Sequence, residues 1–97
     1  MRHYYQKMTT NMSLAIQFHP GEILKEDYLG LYNLDSSQFA TRIGVPPAAI
    51  DLIVEGRAPI TASLALLLGA FFDEPASNWV NLQSNYDLWL AEKLKGN

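Results

Sequence analysis

The 97-residue chain contains no cysteine, which excludes disulfides, thiolate nucleophiles and cysteine zinc sites together and suits a reducing compartment. No apolar run approaches the ~18 to 20 residues of a membrane-spanning helix. The opening stretch MRHYYQKMTTNMSLAIQF also lacks the continuous apolar core of a secretory signal. A soluble, cytoplasmic protein without a membrane partner is therefore expected. Positive charge is scarce: seven Lys and Arg stand against ten Asp and Glu, a formal charge of −3. Residues 1–18 carry Arg2 and Lys7 and no acid, while 19–57 carry six acids against Lys25, Arg42 and Arg57. Catalytic equipment is missing as well, since no nucleophile, base and orienting group can be assembled. His19 and Glu22, one helical turn apart at a helix start, read as a cap and a dipole partner, and no third metal ligand lies nearby in sequence. Neither an enzyme nor a metal or other cofactor is expected.

What the chain does have is hydrophobic residues, 48% of the total, arranged with helical spacing. At this length they fill one small core. Residues 1–18 show no helical period and read as a flexible N-terminal arm, with Met8 and Met12 as alternative starts and Ala15, Ile16 and Phe18 able to pack onto the body. Residues 19–97 read as one domain. A first helix begins after His19-Pro20 with Ile23, Leu24, Tyr28 and Leu31 as its buried face. A fourth, Ala62 to Phe72 behind Thr61, is apolar around most of its circumference, with Leu64, Leu67, Leu68, Phe71 and Phe72 as core candidates. A fifth runs from about Asp73-Glu74-Pro75 to Lys95, long enough to overhang a small bundle. Trp79 and Tyr86 read as core, the polar Asn81, Gln83, Asn85 and Asp87 as partners in helix-to-helix hydrogen bonding, and Trp89, Leu90 and Leu94 as a dimer or partner interface.

Between them lies the most telling segment, SSQFATRIGVPPAAIDLIVEGR, residues 36–57. Asp35 and Gln38 have the spacing of a capping box, Phe39, Ala40 and Ile43 share a face, and Gly44 can take the positive φ that turns the chain into a second helix from Pro47. Two short amphipathic helices joined by a glycine turn are the layout of a helix-turn-helix, whose second helix enters the major groove. On that reading Ser36, Ser37 and Gln38 hold phosphate at the start of the first helix, beyond any capping role. Pro47, Ala48, Ala49, Asp51 and Leu52 face the groove. Arg57 either contacts phosphate or is a solvated surface charge. None of the groove residues is basic, so sequence discrimination by this helix is expected to be small.

His19-Pro20-Gly21-Glu22-Ile23-Leu24, Ile43-Gly44-Val45-Pro46, Gly56-Arg57, Ile60-Thr61 and Asn78-Trp79-Val80-Asn81-Leu82-Gln83-Ser84-Asn85-Tyr86-Asp87-Leu88 together resemble the HigA (VapI-like) antitoxins of bacterial toxin-antitoxin modules. These belong to the XRE, lambda-repressor-like helix-turn-helix class. The resemblance spans about residues 19–92. It implies an all-α fold of five helices and a homodimer that binds double-stranded operator DNA and represses its own module. It further implies neutralisation of a RelE-like toxin that cleaves mRNA. Family members commonly carry Arg, Ser, Thr or Gln where this chain has Pro47, Ala48, Ala49 and Leu52, and often a basic residue or Asn at Glu55. The alternative is a toxin-binding or protein-interaction module on the same fold whose sequence-specific DNA binding is weak or lost.

Overall fold

The computed structural model describes residues 17–95, which form five helices and no strand. The expected arm, with Arg2 and Lys7, lies outside the described residues except for Gln17 and Phe18. Phe18 is half-buried against the core, so the folded body includes it.

Helix α1 covers residues 20–32 and changes pitch twice, being α-helical over Pro20–Ile23, π-helical over Leu24–Leu29 and α-helical again over Gly30–Tyr32. Pro20 at its start has the right φ and no N–H to leave unsatisfied. The π segment changes which side chains are buried. A wider turn brings residues five apart into line, and Leu24 and Leu29 are both in the core. Leu31, expected inside on a uniform α-helical period, is instead 73% exposed. Asn33 ends the helix with a left-handed φ of 57°.

Helices α2 (Ser36–Ile43) and α3 (Pro47–Val54) follow, then α4 (Ala62–Phe72) and α5 (Ala76–Leu94). Thr61 caps α4 by accepting the Leu64 N–H, as its position predicts. Because α4 is apolar all round, composition does not choose its inner side; the contact with α5 does. The buried residues are Leu64, Ala65, Leu68, Gly69 and Phe72, while Leu67 is partly exposed and Leu66 is 67% exposed. Small residues face α5 because the corner is tight: a Cβ on Gly69 would come within 2.6 Å of the Glu74 carbonyl oxygen.

An aromatic cluster fills the centre. Phe72 stacks on Phe39 with centroids 5.6 Å apart, and Tyr28 lies 4.7 Å from Phe72 and 4.9 Å from the fully buried Trp79. The Tyr28 hydroxyl donates to both carboxylate oxygens of Glu74, at 3.0 and 2.9 Å, tying α1 to the α4–α5 corner. Burial first, and then this carboxylate, push the phenol pKa well above its ordinary value. Gln83 on α5 is the buried polar residue of the core. Its Oε1 accepts the Ile60 N–H at 2.8 Å, and its Nε2 donates to Asp87 at 2.9 Å. The expected helix-to-helix hydrogen bonding is not what forms: Gln83 ties α5 to the loop before α4 and bonds Asp87 within its own helix, whereas Asn81 and Asn85 are exposed.

Candidate nucleic-acid interface

The α2–α3 pair is built from local signals that agree. Asp35 is extended and accepts the Gln38 N–H at 2.7 Å, while the Gln38 side chain accepts the Asp35 N–H at 3.0 Å, a complete capping box. Gly44, at φ 78°, closes α2, and the Gly44 and Val45 N–H groups both reach back to the Ala40 carbonyl. Pro46 is extended and Pro47 occupies the first turn of α3. Gly56, at φ 76°, ends α3, with the Arg57 N–H donating to the Leu52 carbonyl at 2.8 Å. Phe39 and Ala40 from α2 and Ile50 and Ile53 from α3 are buried together, which fixes the two helices as a unit.

A second set of contacts anchors α3 from behind, through residues the sequence alone did not connect to it. The His19 Nδ1 accepts the Gly21 N–H at 2.8 Å, which requires that nitrogen to be unprotonated. A side chain at Gly21 would collide with the carbonyl of Ile53, so the first turn of α1 packs backbone to backbone against the last turn of α3. The His19 ring also comes within about 4 Å of the position a Cβ would take on Gly56, and meets the Tyr86 ring edge-on with centroids 5.0 Å apart. Burial lowers the His19 pKa against the opposing pull of Asp87 and Glu22. The expected cap is therefore present, and it holds three helices together.

Ser37, Gln38, Pro47, Ala48, Asp51, Leu52 and Arg57 are exposed, and Ser36 and Ala49 are half-buried. At about 100° per residue, Ala48 lies opposite the buried Ile50 and Ile53, with Asp51 and Leu52 on either side of it and Glu55 two turns along. Ala49 sits toward the core side, so the exposed face of α3 is centred on Ala48. The N-terminal donor of α2 at Gln38 is taken by the chain's own Asp35 carboxylate. An arriving phosphate would therefore meet the Ser36 and Ser37 hydroxyls and the Gln38 amide rather than an open helix end. Arg57 lies 3.4 Å from Glu55, an exposed pair worth ~0 to 1 kcal/mol and readily exchanged. Residues 17–95 as a whole carry ten carboxylates against five Lys and Arg.

On α5, Leu90 and Leu94 fall on the same side as Trp79 and Gln83, but the core ends before them. Every residue from Leu90 to Lys95 is exposed, Leu94 by 79%. Trp89 is half-buried, with its ring 5.9 Å from Tyr86 and the Lys93 ammonium 5.3 Å from its centroid. It is partly satisfied within its own helix, whereas Leu90 and Leu94 carry the unpartnered apolar stripe. Among the described residues no helix is long and apolar enough to cross a membrane, and no group of three or more His, Asp or Glu is placed to hold a metal ion.

No protein-family model matches the chain. It is 43% identical over 77 residues to virulence-associated protein I of Dichelobacter nodosus, a match covering 79% of this chain and 71% of that protein. Among solved structures it is similar to the antitoxin HigA of Pseudomonas aeruginosa with the higBA promoter, at 34% identity, a TM-score of 0.81 and coverage of 84% and 88%. It is likewise similar to an addiction module antidote protein of the HigA family from Coxiella burnetii, at 36% identity, a TM-score of 0.78 and coverage of 84% and 89%.

Proposed function

Because the chain belongs to the HigA (VapI-like) family of helix-turn-helix antitoxins, we propose that it is the antitoxin and transcriptional autorepressor of a toxin-antitoxin pair. It is not an enzyme. In this reading it acts in the cytoplasm, binds its own operator as a homodimer and neutralises a RelE-like, mRNA-cleaving toxin. The observation that carries the DNA half is the exposed, rigidly backed face of α3, set between two glycine turns beside a capped α2. Ser36, Ser37, Gln38 and Arg57 would contact phosphates, and Pro47, Ala48, Ala49, Asp51 and Leu52 would line the groove, with Ala49 at its edge. The Leu90–Leu94 end of α5 supports a symmetric dimer, whose two copies of α3 would meet half-sites about one helical turn of DNA apart. Residues before Gln17 would act as an arm bringing Arg2 and Lys7 to the phosphates of an otherwise acidic body.

One observation favours a second reading. The exposed face of α3 carries Asp51 and Glu55 and no free cation, which fits a protein partner with a basic surface better than a phosphate backbone. Co-expression separates the parts of the proposal. The chain should restore growth to cells expressing a small basic RelE-like protein encoded beside it, and the same chain should silence a reporter driven by its own promoter. Rescue without silencing would support the second reading, and silencing without rescue would make it a free-standing regulator.

A further inference from the structure

The face that α3 offers to a groove has an unusual chemistry. Ala48 and Leu52, four residues apart, make a short apolar row, and Leu52 is 40% exposed. Asp51 lies beside that row and is exposed. The two carboxylates on this face differ in their surroundings: Glu55 has the Arg57 guanidinium at 3.4 Å, whereas the Asp51 carboxylate has no hydrogen bond or ion pair among the described residues. An ionised carboxylate only accepts hydrogen bonds. In the major groove guanine offers O6 and N7, both acceptors, and thymine offers O4, also an acceptor, beside its methyl group. Cytosine offers the N4 amino donor. An unpartnered carboxylate is therefore favoured against cytosine and penalised against guanine, because a desolvated acceptor facing acceptors keeps nothing in place of its water. Adenine presents a donor beside an acceptor and falls between them.

Resting on the groove-facing reading of α3 given above, we propose that Asp51 is the specificity-determining residue of this protein. It accepts a hydrogen bond from the exocyclic amino group of one cytosine in each half-site and excludes guanine from that place, while the Ala48–Leu52 row packs on the C5-methyl group of a neighbouring thymine. The contact is a single hydrogen bond and not a bidentate one. Discrimination is therefore modest, and it is set as much by the base rejected as by the base accepted.

The test uses the full-length chain and duplexes from its own promoter, with the half-site located by footprinting and competition against scrambled duplex. Inverting one C·G pair to G·C under α3 should weaken binding about tenfold, and replacing one thymine by uracil, which removes only the methyl group, should weaken it a few-fold. D51A should erase the C·G preference at that position and bind scrambled duplex more tightly, since a negative charge has left the face. D51N, which can pair with the N6 and N7 of adenine, should move the preference at that position to A·T. Unchanged melting temperatures for both variants would show that the fold is intact. Promoter binding that persists with the same base preferences in D51A and D51N would overturn the role of Asp51 while leaving the groove-facing reading in place. Failure of the wild-type chain to distinguish promoter from scrambled duplex would overturn both.

Discussion

Gly21→Ala tests the junction that holds the recognition helix in position. A methyl group at Gly21 would lie inside the van der Waals surface of the Ile53 carbonyl, and the next nearest atom, the His19 Nδ1, would be 3.1 Å away. Neither side is a flexible side-chain tip, so the first turn of α1 must move off the last turn of α3. Overpacking of this kind costs about 1 to 3 kcal/mol. Displacing the turn also breaks the His19 cap, worth about 0.5 to 2 kcal/mol. The better helix propensity of alanine returns at most ~1 kcal/mol. These ranges leave a net loss of ~0.5 to 4 kcal/mol, centred near ~2 kcal/mol, and at ~4 to 8 °C per kcal/mol for a domain of this size that central value lowers the Tm by about 8 to 16 °C. Gly30→Ala is the internal control. Gly30 is exposed with helical φ, and its added Cβ would sit in ordinary van der Waals contact, 3.5 Å from the Lys25 carbonyl oxygen, so the same chemical change there should raise the Tm by a few degrees. Differential scanning calorimetry of both variants measures the contrast. A Gly21→Ala protein melting within about 2 °C of wild type would refute the backbone-to-backbone docking of α1 on α3.

Three further outcomes follow from the same contacts. Because burial holds the His19 pKa below 6.5, the neutral ring contributes stability that is complete above pH 6.5 and is lost as the pH falls through the lowered folded-state value; thermal melts from pH 8 to pH 5 should show this loss, and it should disappear in His19→Asn. Ala48→Arg should raise DNA affinity without lowering the Tm, whereas Ala49→Arg, at a half-buried position, should lower the Tm; equal melting of the two would contradict the placement of the exposed face. Sedimentation equilibrium at about 100 μM should give twice the 10.9 kDa chain mass for wild type and the monomer mass for Leu90→Glu/Leu94→Glu, and a wild-type monomer at that concentration would exclude the symmetric half-site arrangement.

Much of this architecture is legible in the sequence because it is written in local rules. Asp35 with Gln38, Gly44, Pro47, Gly56 and Thr61 each act within a few residues of themselves, and each takes the conformation its chemistry requires. What is not legible depends on contacts between distant segments. Nothing in Leu24–Leu29 announces a π-helical turn, and so Leu31 reads as core although Leu29 occupies that place. The uniformly apolar α4 gives no sign of which side is inward until Gly69 meets the Glu74 carbonyl. Gly21 looks like a helix-start residue, yet its lack of a Cβ serves α3, some thirty positions away. The residues expected to face a groove follow from the position of their helix; the three-dimensional packing alone turns Ala48 outward and Ala49 toward the core. Asp51 is conspicuous as the acid in an apolar helix, but its lack of a partner, unlike Glu55, is visible only in three dimensions.

This acidic helix-turn-helix, with its largely apolar recognition face, is expected to read its own operator nonetheless. Titration of the full-length chain against its own promoter and against scrambled duplex at about physiological salt tests this directly, with the salt dependence of each measured alongside. A real preference for the promoter that stays below roughly a thousandfold is expected, because none of the α3 side chains makes a bidentate base contact, together with a steep loss of affinity as salt rises. Equal weak binding to both duplexes would contradict it and assign the face of α3 to a protein partner. A preference above a thousandfold would contradict the modest discrimination ascribed to α3 and place the sequence reading in backbone amides, DNA shape or the residues before Gln17.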